Sequence, residues 1–224
     1  MDHMSRREEV IYLTKSTGVL PAIKLKQGKD LLPIAEAMIK GGIRVLEVTM
    51  TTPGVLEAFR AIKYAFGDQL HLASGTTLDA AAAYAAIQAG VSIVVSPAAI
   101  PAVIETAHRY QIACYAGAYT ATEVLQVLSL GASMAKIFPA SLAGPKYMTN
   151  LRMVYPDANL IPSGGIGLDT AAEYIRCGAC AVSGARHFYD EQAVAEQGLG
   201  WVTEQTRHFL ALVAEAKRTA YPLP

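Results

Sequence analysis

Eight short apolar runs recur along the chain at intervals of about 20 to 27 residues, each followed by a stretch with helical spacing. They are Gly18–Lys24, Arg44–Thr49, Leu70–Ser74, Ser92–Ser96, Ile112–Ala116, Ser133–Phe138, Asn159–Ser163 and Ala179–Ser183. Within each run the Val, Ile, Leu and Ala residues are continuous rather than alternating with polar ones. That pattern suits parallel strands covered on both faces. Between the runs lie Ala-rich amphipathic segments such as Leu32–Ile39, Ala80–Ala89 and Thr122–Leu130. Gly41-Gly42, Gly90, Gly131 and Gly178 fall just before the next run, where a left-handed C-cap is expected. Asp79, Thr120 and Asp169 mark helix starts.

Eight βα units without a long linker predict a closed (β/α)8 TIM barrel, with an open doubly wound sheet as the alternative. The segment Arg6–Lys15 is predicted to be an N-terminal helix covering the barrel bottom. The whole chain, 1–224, reads as a single barrel domain. Met1-Asp2-His3, ahead of Met4, reads as an expression scar or a disordered leader.

Composition narrows the function. The 224 residues are 52% hydrophobic and 17% charged, which excludes a disordered chain. Nineteen Lys and Arg balance nineteen Asp and Glu, leaving no global field to steer nucleic acid or an anionic membrane. A local anion site stays open, because net charge says nothing about placement. There is no apolar stretch of about 18 residues and no signal-like start, so a cytoplasmic chain is expected. Cys114, Cys177 and Cys180 are too few for a disulfide framework. Cys177-Gly-Ala-Cys180 has redox spacing, but it spans a helix end and an apolar strand, so packing is the preferred reading.

In a barrel, chemistry sits where strands end and βα loops begin. Lys136 lies there, in Ser-Met-Ala-Lys-Ile-Phe-Pro, among apolar neighbours. An amine stripped of water can attack a ketone carbonyl. The alternative is a lysine that snorkels to the barrel mouth or pairs with a carboxylate. Glu47 is equally out of place in Val-Leu-Glu-Val, and its alternative is a buried acid matched by a cation. Amine and carboxylate on different strands can also face each other, as proton traffic through a Schiff base requires. Ser163-Gly164-Gly165 and Ser183-Gly184-Ala185 follow the last two runs, where many barrels bind phosphate on backbone N–H groups. His3, His71, His108, His187 and His208 share no metal-ligand spacing with each other or with a cysteine, so no metal is expected. His71 falls at the barrel's stability end, and His108 and His208 read as helix-surface residues. His187, just past the last glycine loop, reads as a surface residue, with a ligand contact as the alternative.

Together these segments resemble the 2-keto-3-deoxy-6-phosphogluconate (KDPG) aldolase family, also associated with 4-hydroxy-2-oxoglutarate cleavage. The resemblance runs from about Val19 to Ala216. It is carried by Gly41-Gly42-Ile43-Arg44-Val45-Leu46-Glu47-Val48-Thr49, Ser74-Gly75-Thr76-Thr77-Leu78 and Val95-Ser96-Pro97. Further carriers are Lys136-Ile137-Phe138-Pro139, Gly144-Pro145-Lys146-Tyr147 and Pro162-Ser163-Gly164-Gly165-Ile166.

The resemblance implies a metal-free class I lyase of Entner–Doudoroff carbohydrate metabolism. It would be a homotrimer with no cofactor beyond a covalent lysine imine, cleaving the phosphorylated acid to pyruvate and glyceraldehyde 3-phosphate. Lys136 then matches the Schiff-base lysine and Glu47 the general acid/base. Thr76 matches a carboxylate contact and Pro97 and Phe138 pocket walls, with Ser163 beside them. Gly164, Gly165, Gly184 and Ala185 match the phosphate loops.

Three positions depart from the family. Thr51 stands where many members carry a carboxylate-gripping arginine. Ala73-Ser74-Gly75-Thr76 replaces Gly-Ala-Gly-Thr. Ala185, followed by Arg186, replaces a serine. Lys24, at the end of the first run, is a candidate for the charge that Thr51 lacks. Alternative substrates are 4-hydroxy-2-oxoglutarate and 2-keto-3-deoxy-6-phosphogalactonate. Rivals of another class are a phosphate-binding barrel isomerase or epimerase and a non-catalytic sugar-phosphate binder.

Overall fold

The expected strands are present in the computed structural model, which describes residues 4–184 and 187–220. They are β1 (Val19–Ile23), β2 (Val45–Thr49), β3 (His71–Gly75), β4 (Ile93–Val95), β5 (Ala113–Ala118), β6 (Met134–Ile137), β7 (Leu160–Pro162) and β8 (Val182–Gly184). All named pairings are parallel, in the order β7-β6-β5-β4-β3-β2-β1-β8. The ring closes between β7 and β8 through a Ser163–Ser183 bridge. The Cys180 N–H donates to the Leu160 carbonyl at 3.0 Å along the same seam. The open doubly wound sheet is thereby excluded.

Alternation along the strands sorts side chains into two cores. Leu20, Val45, Ala73, Ile93, Val95, Ala113, Tyr115, Met134, Ile161 and Ala181 fill the barrel interior. The outward-facing residues between them, among them Val19, Leu46, Leu72, Val94, Cys114, Ala135, Leu160 and Val182, pack under the helices. The helices between strands are α2 (Leu31–Gly41), α3 (Val55–Phe66), α4 (Ala80–Gln88), α5 (Pro101–Arg109), α6 (Ala121–Ser129), α7 (Lys146–Val154) and α8 (Ala171–Arg176). Short α9 (Glu191–Gln197) and long α10 (Leu199–Thr219) follow β8. Helix α10 packs tightly on α2, where a Cβ on Gly41 would lie 2.5 Å from Thr206 Cβ.

Helix α1 (Arg6–Thr17) covers the N-terminal end as expected, started by a capping box between Ser5 and Glu8. Its Val10 joins the interior cluster, and Arg7 donates to the Gly131 carbonyl at 3.2 Å. Asp79 and Thr120 cap α4 and α6 as expected. The expectation for Asp169 is corrected, because α8 starts one residue later with Thr170 at the N-cap. There the Thr170 hydroxyl accepts from the Gly167 N–H at 3.1 Å, fixing the turn before the helix. Gly42 and Gly178 have the expected positive φ, 106° and 100°.

Candidate active site

Lys136 and Glu47 reach the barrel's C-terminal mouth from β6 and β2. Both occupy inward-facing positions, two residues beyond the interior residues Met134 and Val45. The Lys136 Nζ donates to Glu47 Oε1 at 2.9 Å and to Oε2 at 3.2 Å. The side chains are only 9% and 2% exposed, so water screens the pair poorly. Each charge offsets the other's desolvation, and removing either would leave its partner buried alone. The short contact is also a path along which a proton can move between amine and carboxylate.

Two glycines make room for this arrangement. A Cβ on Gly75 would lie 2.4 Å from Glu47 Oε1, so β3 must lack a side chain there. A Cβ on Gly117, which pairs with Lys136, would lie 2.0 Å from the Pro97 carbonyl carbon. Gly117 thus lets Pro97 close over the neighbouring strand. Thr76 carries the chain away from Gly75 with φ 55°, an uncommon conformation for a β-branched residue. Gly164 and Gly165 have φ 86° and 78°, and the Gly164 carbonyl accepts from the Ser141 N–H at 3.1 Å.

These residues surround one cavity of about 260 Å³. Of the candidate residues, Lys24, Glu47, Thr76, Pro97, Lys136, Phe138, Ser163, Gly164, Gly165 and Gly184 line it. Thr51 is not brought into it. The residue is exposed, and its hydroxyl lies 3.0 Å from that of Thr49, which does line the cavity. Strand β2 ends at Thr49, so the alternation placing Glu47 and Thr49 no longer governs Thr51. Ala185 and Arg186 lie outside the described residues. Ala22, Ile23 and Ser183 complete the lining. Ser183 carries a strand-end signal in the sequence, whereas the apolar Ala22 and Ile23 carry none.

The remaining candidates lie elsewhere. His71 opens β3 at the closed end, 3.7 Å from Glu9, and burial holds its pKa below 6.5. The His108 ring meets the Gly131 carbonyl at 2.7 Å. His187 abuts the loop after β7, where a Cβ on Gly167 would lie 2.5 Å from its Nε2. The cysteines are free, and burial pushes the Cys114 and Cys180 thiols up to about 12 and about 11, which disfavours redox chemistry. Among the described residues, no group of three or more His, Cys, Asp or Glu could hold a metal ion. No described helix is long and apolar enough to cross a membrane.

The family model for KDPG and KHG aldolases matches residues 10–204. The 2-dehydro-3-deoxy-phosphogluconate aldolase of Treponema pallidum is 34% identical over 196 residues, 87% of this chain and 93% of that protein. The 2-dehydro-3-deoxy-6-phosphogalactonate aldolase of Escherichia coli is 32% identical over 169 residues, covering 74% of this chain and 82% of its own. Among solved structures, KDPG aldolase from Legionella pneumophila, with pyruvate captured as a covalent carbinolamine, superposes with a TM-score of 0.81. It is 27% identical, over 88% of this chain and 96% of that one.

Proposed function

The chain belongs to the KDPG and KHG aldolase family, and from that premise we propose that it cleaves 2-keto-3-deoxy-6-phosphogluconate to pyruvate and glyceraldehyde 3-phosphate. The buried contact between Lys136 Nζ and the Glu47 carboxylate carries this reading. Lys136 first passes a proton to Glu47, and the free amine attacks the C2 ketone, a second amine proton moving to the former ketone oxygen to give the carbinolamine hydroxyl. Protonated Glu47 gives that proton to the departing hydroxyl, leaving an iminium and a carboxylate. The carboxylate takes the C4 hydroxyl proton as the C3–C4 electron pair flows into the iminium. The aldehyde leaves, Glu47 returns the proton to C3 of the enamine, and water releases pyruvate.

Because the iminium is the electron sink, the reaction needs neither metal nor cofactor, and activity should survive chelator. Thr76 and Lys24 are the proposed partners of the substrate carboxylate, with Lys24 supplying the charge that Thr51 lacks. Pro97 and Phe138 wall the pocket beside Ser163. Gly164, Gly165, Gly184 and Ala185 are the proposed phosphate contacts, presented on backbone without bulky side chains. The same imine chemistry serves 4-hydroxy-2-oxoglutarate and the galactonate isomer, and pyruvate release from each acid ranks them. We also read the enzyme as a cytoplasmic homotrimer. The exposed Tyr84 and Tyr110, whose ring centroids lie 5.5 Å apart, offer an apolar patch for assembly, which light scattering tests.

Borohydride with pyruvate should add one covalent adduct at Lys136, and Lys136→Ala should lose both adduct and turnover. Retained turnover would overturn the assignment, and absence of an adduct in the unaltered protein would favour a phosphate-binding isomerase.

A further inference from the structure

Three buried side-chain atoms lack a hydrogen-bond partner among the described residues: His71 Nε2, Arg152 Nε and Ser183 Oγ. His71 stands at the closed end of the barrel, and the Arg152 guanidinium is anchored through Nη1 on the Ala158 carbonyl at 3.1 Å. Ser183, 1% exposed, lines the cavity that holds Lys136 and Glu47. Strand alternation turns it inward with Ala181 of the interior cluster, while Val182 between them packs under the helices. A buried hydroxyl without a partner is unfavourable, so its position on the cavity wall points to a partner brought by a ligand.

Its place in the cavity says which part of the ligand. Ser183 immediately precedes Gly184 and is bridged to Ser163, which immediately precedes Gly164. Both serines therefore lie one step inside the glycine lip, on the wall between that lip and Lys136. A substrate held by C2 on Lys136 and by its phosphate at the lip must run its middle carbons past this wall. Glu47 takes the C4 hydroxyl, which leaves the hydroxyl on C5. We infer that Ser183 is a specificity-determining residue whose hydroxyl bonds the substrate's C5 hydroxyl and selects acids that carry one. The inference rests on the aldolase reading of the site.

The test compares the full substrate with 4-hydroxy-2-oxo-6-phosphohexanoate, which lacks the C5 hydroxyl. Ser183→Ala should lower kcat/KM for the full substrate about tenfold, mainly through KM, the size expected for one neutral hydrogen bond. The same variant should leave kcat/KM for the 5-deoxy acid unchanged. Ser183→Cys, which keeps the volume but donates poorly, should reproduce the selective loss. Equal losses on both acids would indicate a phosphate contact or a packing role and would overturn the inference, as would no loss at all. Pyruvate trapping separates this failure from the larger one. A variant that still forms the Lys136 adduct keeps the aldolase reading even if Ser183 shows no selectivity.

Discussion

Tyr115 and Lys136 project into the barrel from neighbouring strands, one near its closed end and one at its mouth. Tyr115 is fully buried, with its hydroxyl 2.8 Å from Thr14 Oγ1 and 3.4 Å from the Val10 carbonyl of α1. Lys136 is nearly as buried, yet its amine meets the Glu47 carboxylate, and open cavity lies beside both. The first arrangement joins a helix to a barrel and meets only protein groups. The second holds a buried ion pair beside space that a ligand can enter. Similar burial therefore supports anchoring at one end and a cavity-facing ion pair at the other, and the difference lies in what the polar atoms face.

The sharpest break of that comparison removes the pair altogether. Lys136→Met alone should destabilise by about 3–5 kcal/mol, because Glu47 is left buried without its cation. Lys136→Met with Glu47→Leu should recover most of that loss in denaturant titration, while turnover stays at least about 10⁴-fold down. A double variant no more stable than the single one would show that the pair itself contributes to stability.

Gly75→Ala comes next in size. The added Cβ must displace the Glu47 carboxylate, and a shift of about 1 Å should cost about 100-fold in kcat. At the closed end, Tyr115→Phe should lower stability by about 1 kcal/mol and leave kcat unchanged.

The smallest effect is that of His71. Burial depresses its pKa below 6.5 in the folded chain, with Glu9 opposing more weakly. The unfolded chain therefore takes up a proton first as pH falls below 6.5. The contribution of His71 to stability is complete above that value and is lost as pH falls through the lower folded pKa. His71→Gln should flatten the stability profile between pH 7 and that folded value without altering pyruvate release; an unchanged slope would remove His71 as its source.

The eight strands were legible because a parallel strand buried on both faces must be apolar throughout, whatever surrounds it. Helix ends were legible where one side chain closes the cap, as at Asp79 and Thr120, and misread by one residue at Asp169, where Thr170 competes locally. Lys136 and Glu47 stood out because charge within an apolar run needs compensation. Thr51 was harder to place, since its even spacing from Glu47 suggests a shared face only while the strand continues. Gly75 and Ser183 could be marked as strand-end residues, but not given their contacts, for a different reason. Their significance depends on atoms of other strands, at distances along the chain that no local pattern encodes.

Sequence by itself determined the barrel, the misplaced charges of Lys136 and Glu47, and the glycine-rich ends of its last two strands, since periodicity and misplaced charge are properties of neighbouring residues. Only the tertiary structure decided that lysine and acid meet at 2.9 Å, that Thr51 stands outside the cavity, and that Ser183 faces into it with no hydrogen-bond partner among the described residues. Those outcomes follow from strand register around a closed ring, which brings together residues far apart along the chain.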